Sequence, residues 1–464
     1  MGLLLAQYYE RTGFGEQAYH GHTTLHPLAL VLVLILMALT LTVRRSRAVY
    51  PFVFAACFLP AAQRLVIAGA DFSMLRLLVL TGMVRVFMRG EVSRFRWIPL
   101  DTLVATWCAI SAVAYIILWG SMSQFIFRVG QFYDILGLYL YFRVVIRNWS
   151  DVNGVVRFTI FWTPLLLVLF FMEKQSGRNP FHFLGAQQWA AIRDGHVRCQ
   201  GAFPHAILAG TYFAAILPLA LVAYLRPGGK LFALRSLFFI LGLVYLCRSS
   251  TPLVGVAAGF LGLAGWVVRR QMMPIRVGTM LTLLFLHLVM KAPVWHLISR
   301  ISFSQGSTSY HRFLLIDSAI KNFGEWFAVG VKSTAHWGHA MGDVTNQFVL
   351  EGVRGGVLGL IFFTWTLVEG FRVCGKLWRR VRRNRAKRYM AWALGTALFA
   401  HCLMFLSISI THSQQNMSMF FFLLASLGSL SITERRRPRR KLKRLRGARK
   451  NSALAMELSG EAAA

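Results

Sequence analysis

The chain has 464 residues, 56% of them hydrophobic and only 15% charged, with a mean hydropathy of +0.53. Soluble domains carry about 25% charge, and the apolar residues here come in long runs almost free of charge, which excludes a cytosolic enzyme, a disordered chain and a disulfide scaffold. Lys and Arg number 51 against 17 Asp and Glu, a net +34. In so apolar a chain that balance points to the basic loops of a membrane protein before it points to nucleic acid.

Met1–His26 lacks the basic region and the cleavage site of a signal peptide. Beyond it, a bilayer core of about 30 Å, crossed by roughly 20 apolar residues, divides the chain into some thirteen candidate spans. They are 27–43, 51–70, 73–89, 98–119, 124–146, 156–172, 204–225, 231–247, 251–268, 276–291, 346–373, 390–411 and 416–432. Arg64, Arg76, Arg85 and Arg128 interrupt the second, third and fifth. The expected fold is all-α: a polytopic transmembrane bundle of about 12–13 spans with a large, partly helical loop. It divides into N-terminal helices (1–172), a core with the loop 292–345 (173–432) and a basic tail (433–464).

Lys376–Arg388 holds eight Lys and Arg, and Arg435–Lys450 holds eleven. The positive-inside rule places both in the cytoplasm, and counting back from them makes every other inside connection basic. The tail has no aromatics interleaved with its charges, so it reads as a topology anchor on anionic lipid rather than a nucleic-acid binder. The expected topology puts 173–203 and 292–345 outside as the long connections and the C-terminus inside.

Long connections on a helical scaffold can build a site. In the second, His311–Phe323 has the spacing of an amphipathic helix, whereas Gly330–Asp343 reads as irregular. Arg64, Arg76, Arg128, Arg198, Arg248 and Arg312 all fall near this face, against the topological bias. A cation there needs a partner or a polar cavity. Each arginine alone reads as an ion pair or a snorkelling side chain. As a set they suggest an anionic head group, because the guanidinium fork suits phosphate.

Other features are blander. Cys199 and Cys247 lie near one face, where a disulfide is conceivable; the six cysteines have no metal spacing. His336 and His339 are i,i+3 but have no evident third zinc ligand. His205 reads as a helix cap, Lys332 as a solvated loop residue, Glu351 and Arg354 as an i,i+3 pair, and His401 and His412 as packing and loop residues.

Four stretches in order resemble the O-antigen ligase and O-antigen polymerase superfamily: Arg198–Pro218 (RCQGAFPHAILAGTYFAAILP), Arg248–Gly255 (RSSTPLVG), Tyr310–Asp317 (YHRFLLID) and Thr345–Gly359 (TNQFVLEGVRGGVLG). The resemblance implies a metal-independent glycosyltransferase, with no cofactor, that takes glycan from an undecaprenyl-pyrophosphate-linked donor on the periplasmic side. Its partners would be that donor, a glycan or lipid acceptor and membrane lipids. By the same resemblance Arg198, Arg248 and Arg312 match the pyrophosphate-binding arginines, and Arg128 is a further candidate. Asn346, Gly356 and Gly359 fit the last motif, but Thr345 stands where the family's ligases have histidine. A threonine is no general base near neutral pH, so His336, His339 or Asp343 takes that role, or the acceptor needs less activation, or the chain is no ligase. The departure favours a polymerase-like enzyme over a lipid A-core ligase. A transporter or flippase for a lipid-linked glycan or another anion is the alternative, and it calls for paired broken helices at the midplane.

Overall fold

The computed structural model describes residues 23–67, 70–193, 195–225, 227–300, 309–411 and 413–435. His412 and nearly all of the basic tail lie outside them, as does most of Met1–His26.

In chain order the helices are α1 (Pro27–Thr42), α2 (Tyr50–Phe58), α3 (Met74–Met88), α4 (Pro99–Trp119), α5 (Met122–Val145), α6 (Trp149–Ser176), α7 (Ala206–Leu221), α8 (Lys230–Leu246), α9 (Ser250–Ala264), α10 (Met272–Val289), α11 (Ser309–Lys321), α12 (Gln347–Arg380) and α13 (Arg385–Met404). The last, α14, is Gln414–Arg435. Two short antiparallel hairpins, β1–β2 (Arg64–Ile67, Ala70–Ser73) and β3–β4 (Ala191–Arg193, His196–Arg198), are the only sheets among the described residues. Among the described residues, six helices are long and apolar enough to cross a membrane: α4, α6, α7 with its continuation to Leu225, α10, α12 and α14. The chain is an all-α helical membrane protein.

Every candidate span carries a helix, with two corrections. The segment 51–70 is not a helical span. Its helix ends at Phe58, because Pro60 forces Leu59 into extended geometry (φ −86°, ψ 123°). Nine residues reach only about 14 Å, and the chain continues through the β1–β2 hairpin. The span 390–411 also ends early, at Met404; Phe405–Ile410 instead folds against the start of α12, where the Gln347 amide donates to the Phe405 carbonyl at 2.9 Å.

Burial sorts the helices. α7 and α14 are largely enclosed by their neighbours, whereas α10 has no buried residue. Its exposed Leu281, Leu284, Phe285 and Leu288 suit a helix facing hydrocarbon, whose backbone is satisfied internally. Most arginines inside the first half of the bundle are matched. Arg143 is bidentate to Asp101 at 2.8 Å on both oxygens, and Arg76 grips both oxygens of Asp134. Arg45 pairs with Asp151, Arg64 with Asp71 and Arg85 with Glu91. Arg64 and Arg76 are therefore structural ion pairs.

The amphipathic helix expected at 311–323 is α11, which starts and ends two residues earlier. Leu315 packs with Trp326, Met341, Val344, Leu350 and Val353 into a small core separate from that of the bundle. The connection is thus a folded cap. Cys199 and Cys247 are buried free thiols, and the Cys199 thiol points at the Phe170 carbonyl (3.2 Å).

Candidate functional site

The segments carrying three of the four proposed anion-binding arginines, Arg198, Arg248 and Arg312, meet at the turn between α8 and α9. Glu173, buried at the end of α6, accepts from the Gln200 and Gly201 amides at 3.0 Å each. Gly201 has φ 58°, and a Cβ there would lie 2.4 Å from the Phe170 ring, so this bend accepts only glycine. The fold thereby fixes the strand that ends in buried Arg198, and the next amide, Cys199, donates to Leu246 at the end of α8 (3.2 Å).

Two residues on, Arg248 is left-handed (φ 45°), a conformation that costs a non-glycine residue energy. Its exposed guanidinium lies over the Tyr245 ring, 4.8 Å from the centroid. From above, buried Arg312 of α11 donates to Ser250 (3.2 Å) and Thr251 (3.1 Å) in the first turn of α9. Burial first, and Arg193 second, lower the pKa of Arg312. Arg193 is a member of the group that the sequence reading did not name. His205 caps α7 through Nδ1, which accepts from the Ile207 amide (3.1 Å), and burial with Arg198 and Arg193 pushes its pKa down to about 3. It is a neutral cap inside a cationic neighbourhood.

Arg128 belongs to a second group. It projects from α5, donates to Gln131 at 2.7 Å and stacks 5.1 Å from the Tyr115 centroid. Beside it are Glu351 and Arg354 of α12. The expected i,i+3 pair does not form. The Glu351 carboxylate accepts from Trp107 (2.8 Å) and Gln347 (2.6 Å), and Arg354 makes no hydrogen bond or ion pair among the described residues. Trp107 and Gln347 occupy both Glu351 oxygens, and α12 is broken just beyond, at Gly356 (φ 66°, ψ −174°), so Arg354 stands near the end of a short first segment. The loop closes the break, Val331 donating to the Val353 carbonyl and Val357 to Phe327, at 2.8 and 2.9 Å.

The motif residues of this helix have structural roles. Asn346 caps it, accepting from Phe348 (2.9 Å) and Val349 (3.2 Å). Gly356 makes the break, and Gly359 passes close to Ser111 of α4.

Above Arg354 opens a cleft of about 240 Å³ between α4 and the loop, lined by Tyr115, Trp119, Lys332, Asp343 and Arg354 among others. The three proposed bases stand differently to this cleft. Asp343 faces the cleft, and burial raises its pKa to about 6. His336 is exposed and held by Glu325 at 2.7 Å, the same oxygen that takes the Trp337 indole at 2.9 Å. His339 is exposed and lies near His311, the residue before Arg312. Neither histidine lines the cleft or finds a third metal ligand among the described residues. Thr345 is half-buried, its amide bonded to the Asp343 carbonyl (3.1 Å). Lys332 lies 5.8 Å from the Trp119 centroid. His401 is buried and bonded to the Ala397 carbonyl (2.9 Å), a packing residue.

The 331–344 segment connects the two groups. Its ends line the cleft, and its middle carries His339 toward α11. No family model matches the chain, and no curated protein is significantly similar to it.

Proposed function

We propose that the protein is a membrane glycosyltransferase of cell-surface polysaccharide assembly. It takes glycan from an undecaprenyl-pyrophosphate-linked donor at the face carrying the two long connections, the periplasmic face of a bacterial inner membrane. The observation that carries this reading is that the segments bearing Arg198, Arg248 and Arg312, far apart in sequence, meet at the turn between α8 and α9. Arg312 is met there by hydroxyls rather than a carboxylate, which leaves its charge available to an anion.

In the reaction the acceptor hydroxyl oxygen bonds to the anomeric carbon while the bond from that carbon to the pyrophosphate oxygen breaks. The lipid pyrophosphate leaves with the electron pair, and the hydroxyl proton passes to Asp343. The fixed guanidinium groups stabilise the charge growing on the leaving oxygen, and a base poised near 6 abstracts a proton efficiently at neutral pH. A polymerase-like acceptor, the end of a growing glycan, suits the open cleft.

The broken helix α12 is the one feature that favours the transporter alternative. That mechanism calls for discontinuous helices in pairs, and the break here is filled by the loop rather than left open.

The test is Gln substitution at Arg198, Arg248 and Arg312 in the native host, followed by gel analysis of surface glycan. Loss of polymer with single repeat units remaining is expected, whereas free lipid-linked polymer marks a ligase. Normal glycan in all three variants contradicts the proposal.

A further inference from the structure

Arg354 has no role in the donor site just described. It stands at the waist between two spaces: the cleft of about 240 Å³ above, and a recess of about 10 Å³ below, walled by Trp107, Ser111, Arg128, Gln131 and Glu351. Three polar atoms at these spaces are buried without a hydrogen-bond partner: Arg354 Nη1, Ser111 Oγ and the Trp119 indole nitrogen. Buried donors left unmet are rare and costly, so their concentration around one waist is the mark of a ligand. The other arginines buried in the spans by α2–α6 have carboxylate partners; Arg128 and Arg354 have none within ion-pair distance among the described residues. Two carboxylates border these spaces against the three cations Arg128, Arg354 and Lys332: Glu351, whose oxygens are both occupied by Trp107 and Gln347, and Asp343 in the cleft above. The locus therefore keeps a net positive charge, with Lys332 adding to it at the rim.

We propose that this site binds a sugar bearing a carboxylate, a uronic acid or its chemical equivalent, in the glycan handled by the enzyme. The ring lies in the cleft against Trp119, and the carboxylate reaches down to the Arg354 guanidinium with Ser111 behind it. The recess has room for about one water-sized group, enough for one carboxylate oxygen, while the cleft is too large for water alone. A planar carboxylate also matches the guanidinium fork. Aromatic walls above, Tyr115 and Trp119, supply the flat apolar surface that sugar rings use. The proposal rests on the glycan-transfer reading for the ligand being a sugar, and it assigns the acidic residue of that sugar to α12.

The test uses the full-length protein in nanodiscs, with cellobiouronic acid and its neutral counterpart cellobiose as probes, read by saturation-transfer NMR and thermal unfolding. The native chain is expected to bind the uronate at least about tenfold more tightly, and Arg354→Gln to erase that preference. Should Arg354→Gln not fold, Lys332→Ala on the exposed loop is expected to reduce the preference severalfold. Arg312→Gln is expected to keep the preference in full, so a failed donor site and a failed acid-sugar site give different results. Equal binding of the two disaccharides, an unchanged preference in Arg354→Gln, or displacement of the uronate by inorganic pyrophosphate overturns the proposal.

Discussion

Arginines inside this bundle fall into two kinds, and the carboxylate beside them tells which. Arg45, Arg64, Arg76, Arg85 and Arg143 each face an Asp or Glu within ion-pair distance. Removing either member of such a buried pair strands a charge, so these are structural. Arg312 is met by hydroxyls and Arg354 by nothing among the described residues, and both border the end where the long connections fold. At the same end Asp343 carries the acid–base expectation. Its carboxyl is neutral below about 6 and ionised above it, against 3.8 for a free aspartate. Transfer needs the ionised form, so activity is expected to fall as pH drops through about 6. Asp343→Asn should lower turnover by 10²-fold or more and remove that acid limb. Because the folded pKa is raised, the neutral carboxyl stabilises the fold at low pH, and that contribution is lost as pH rises through about 6. Asp343→Asn should accordingly unfold at a higher temperature than the native chain at pH 8, by on the order of 1–3 kcal/mol, with the two converging near pH 4. An acid limb that survives in the variant would point to another base.

At the scale of elements, the break in α12 is the feature on which the site depends. It ends the first segment just after Arg354 and opens the helix to the 327–331 chain, while Glu351, the i,i+3 neighbour of Arg354, is taken by Trp107, 244 residues from it in sequence. Gly356 cannot be replaced there: its φ is 66°, and a Cβ would lie 2.3 Å from the Ala328 carbonyl oxygen. Gly356→Ala is expected to cost about 2–4 kcal/mol and to abolish activity, whereas Gly375→Ala, in the same helix with open space around it, should be silent; thermal unfolding of both checks this. The hydrophobic run 346–373 gave no hint of the break, because a glycine inside an apolar stretch reads equally as packing. The Glu351–Arg354 spacing misled for the same reason: helical neighbours pair only when nothing distant competes. Span positions were legible, since bilayer thickness imposes a length on apolar runs. Of the two exceptions, 51–70 was hidden by its hydrophobicity although Pro60 stood inside it.

For the whole molecule, the uneven charge acquires a geometry. The eight cations of Lys376–Arg388 stand at the far end of α12 and the start of α13, where Lys387 pairs with Glu434 and Arg380 reaches the Ser431 carbonyl. The cap formed by α11 and 323–344 sits at the other end of α12. One end thus holds loosely spread basic charge, and the other holds a few arginines fixed by α6, α8, α9 and α11. Of the four arginines marked in the sequence, three meet and Arg128 stands with Arg354. Long-range packing separated them, which no local spacing could reveal. The measurement closest to the central claim is turnover by the purified protein in nanodiscs given an undecaprenyl-pyrophosphate-linked oligosaccharide, with release of the lipid pyrophosphate followed directly. The native chain should release it with matching glycan transfer, and Arg312→Gln should be slower by 10²–10³-fold. Release that is undiminished in Arg312→Gln, or no release by a folded native protein supplied with donor and acceptor, would contradict the account.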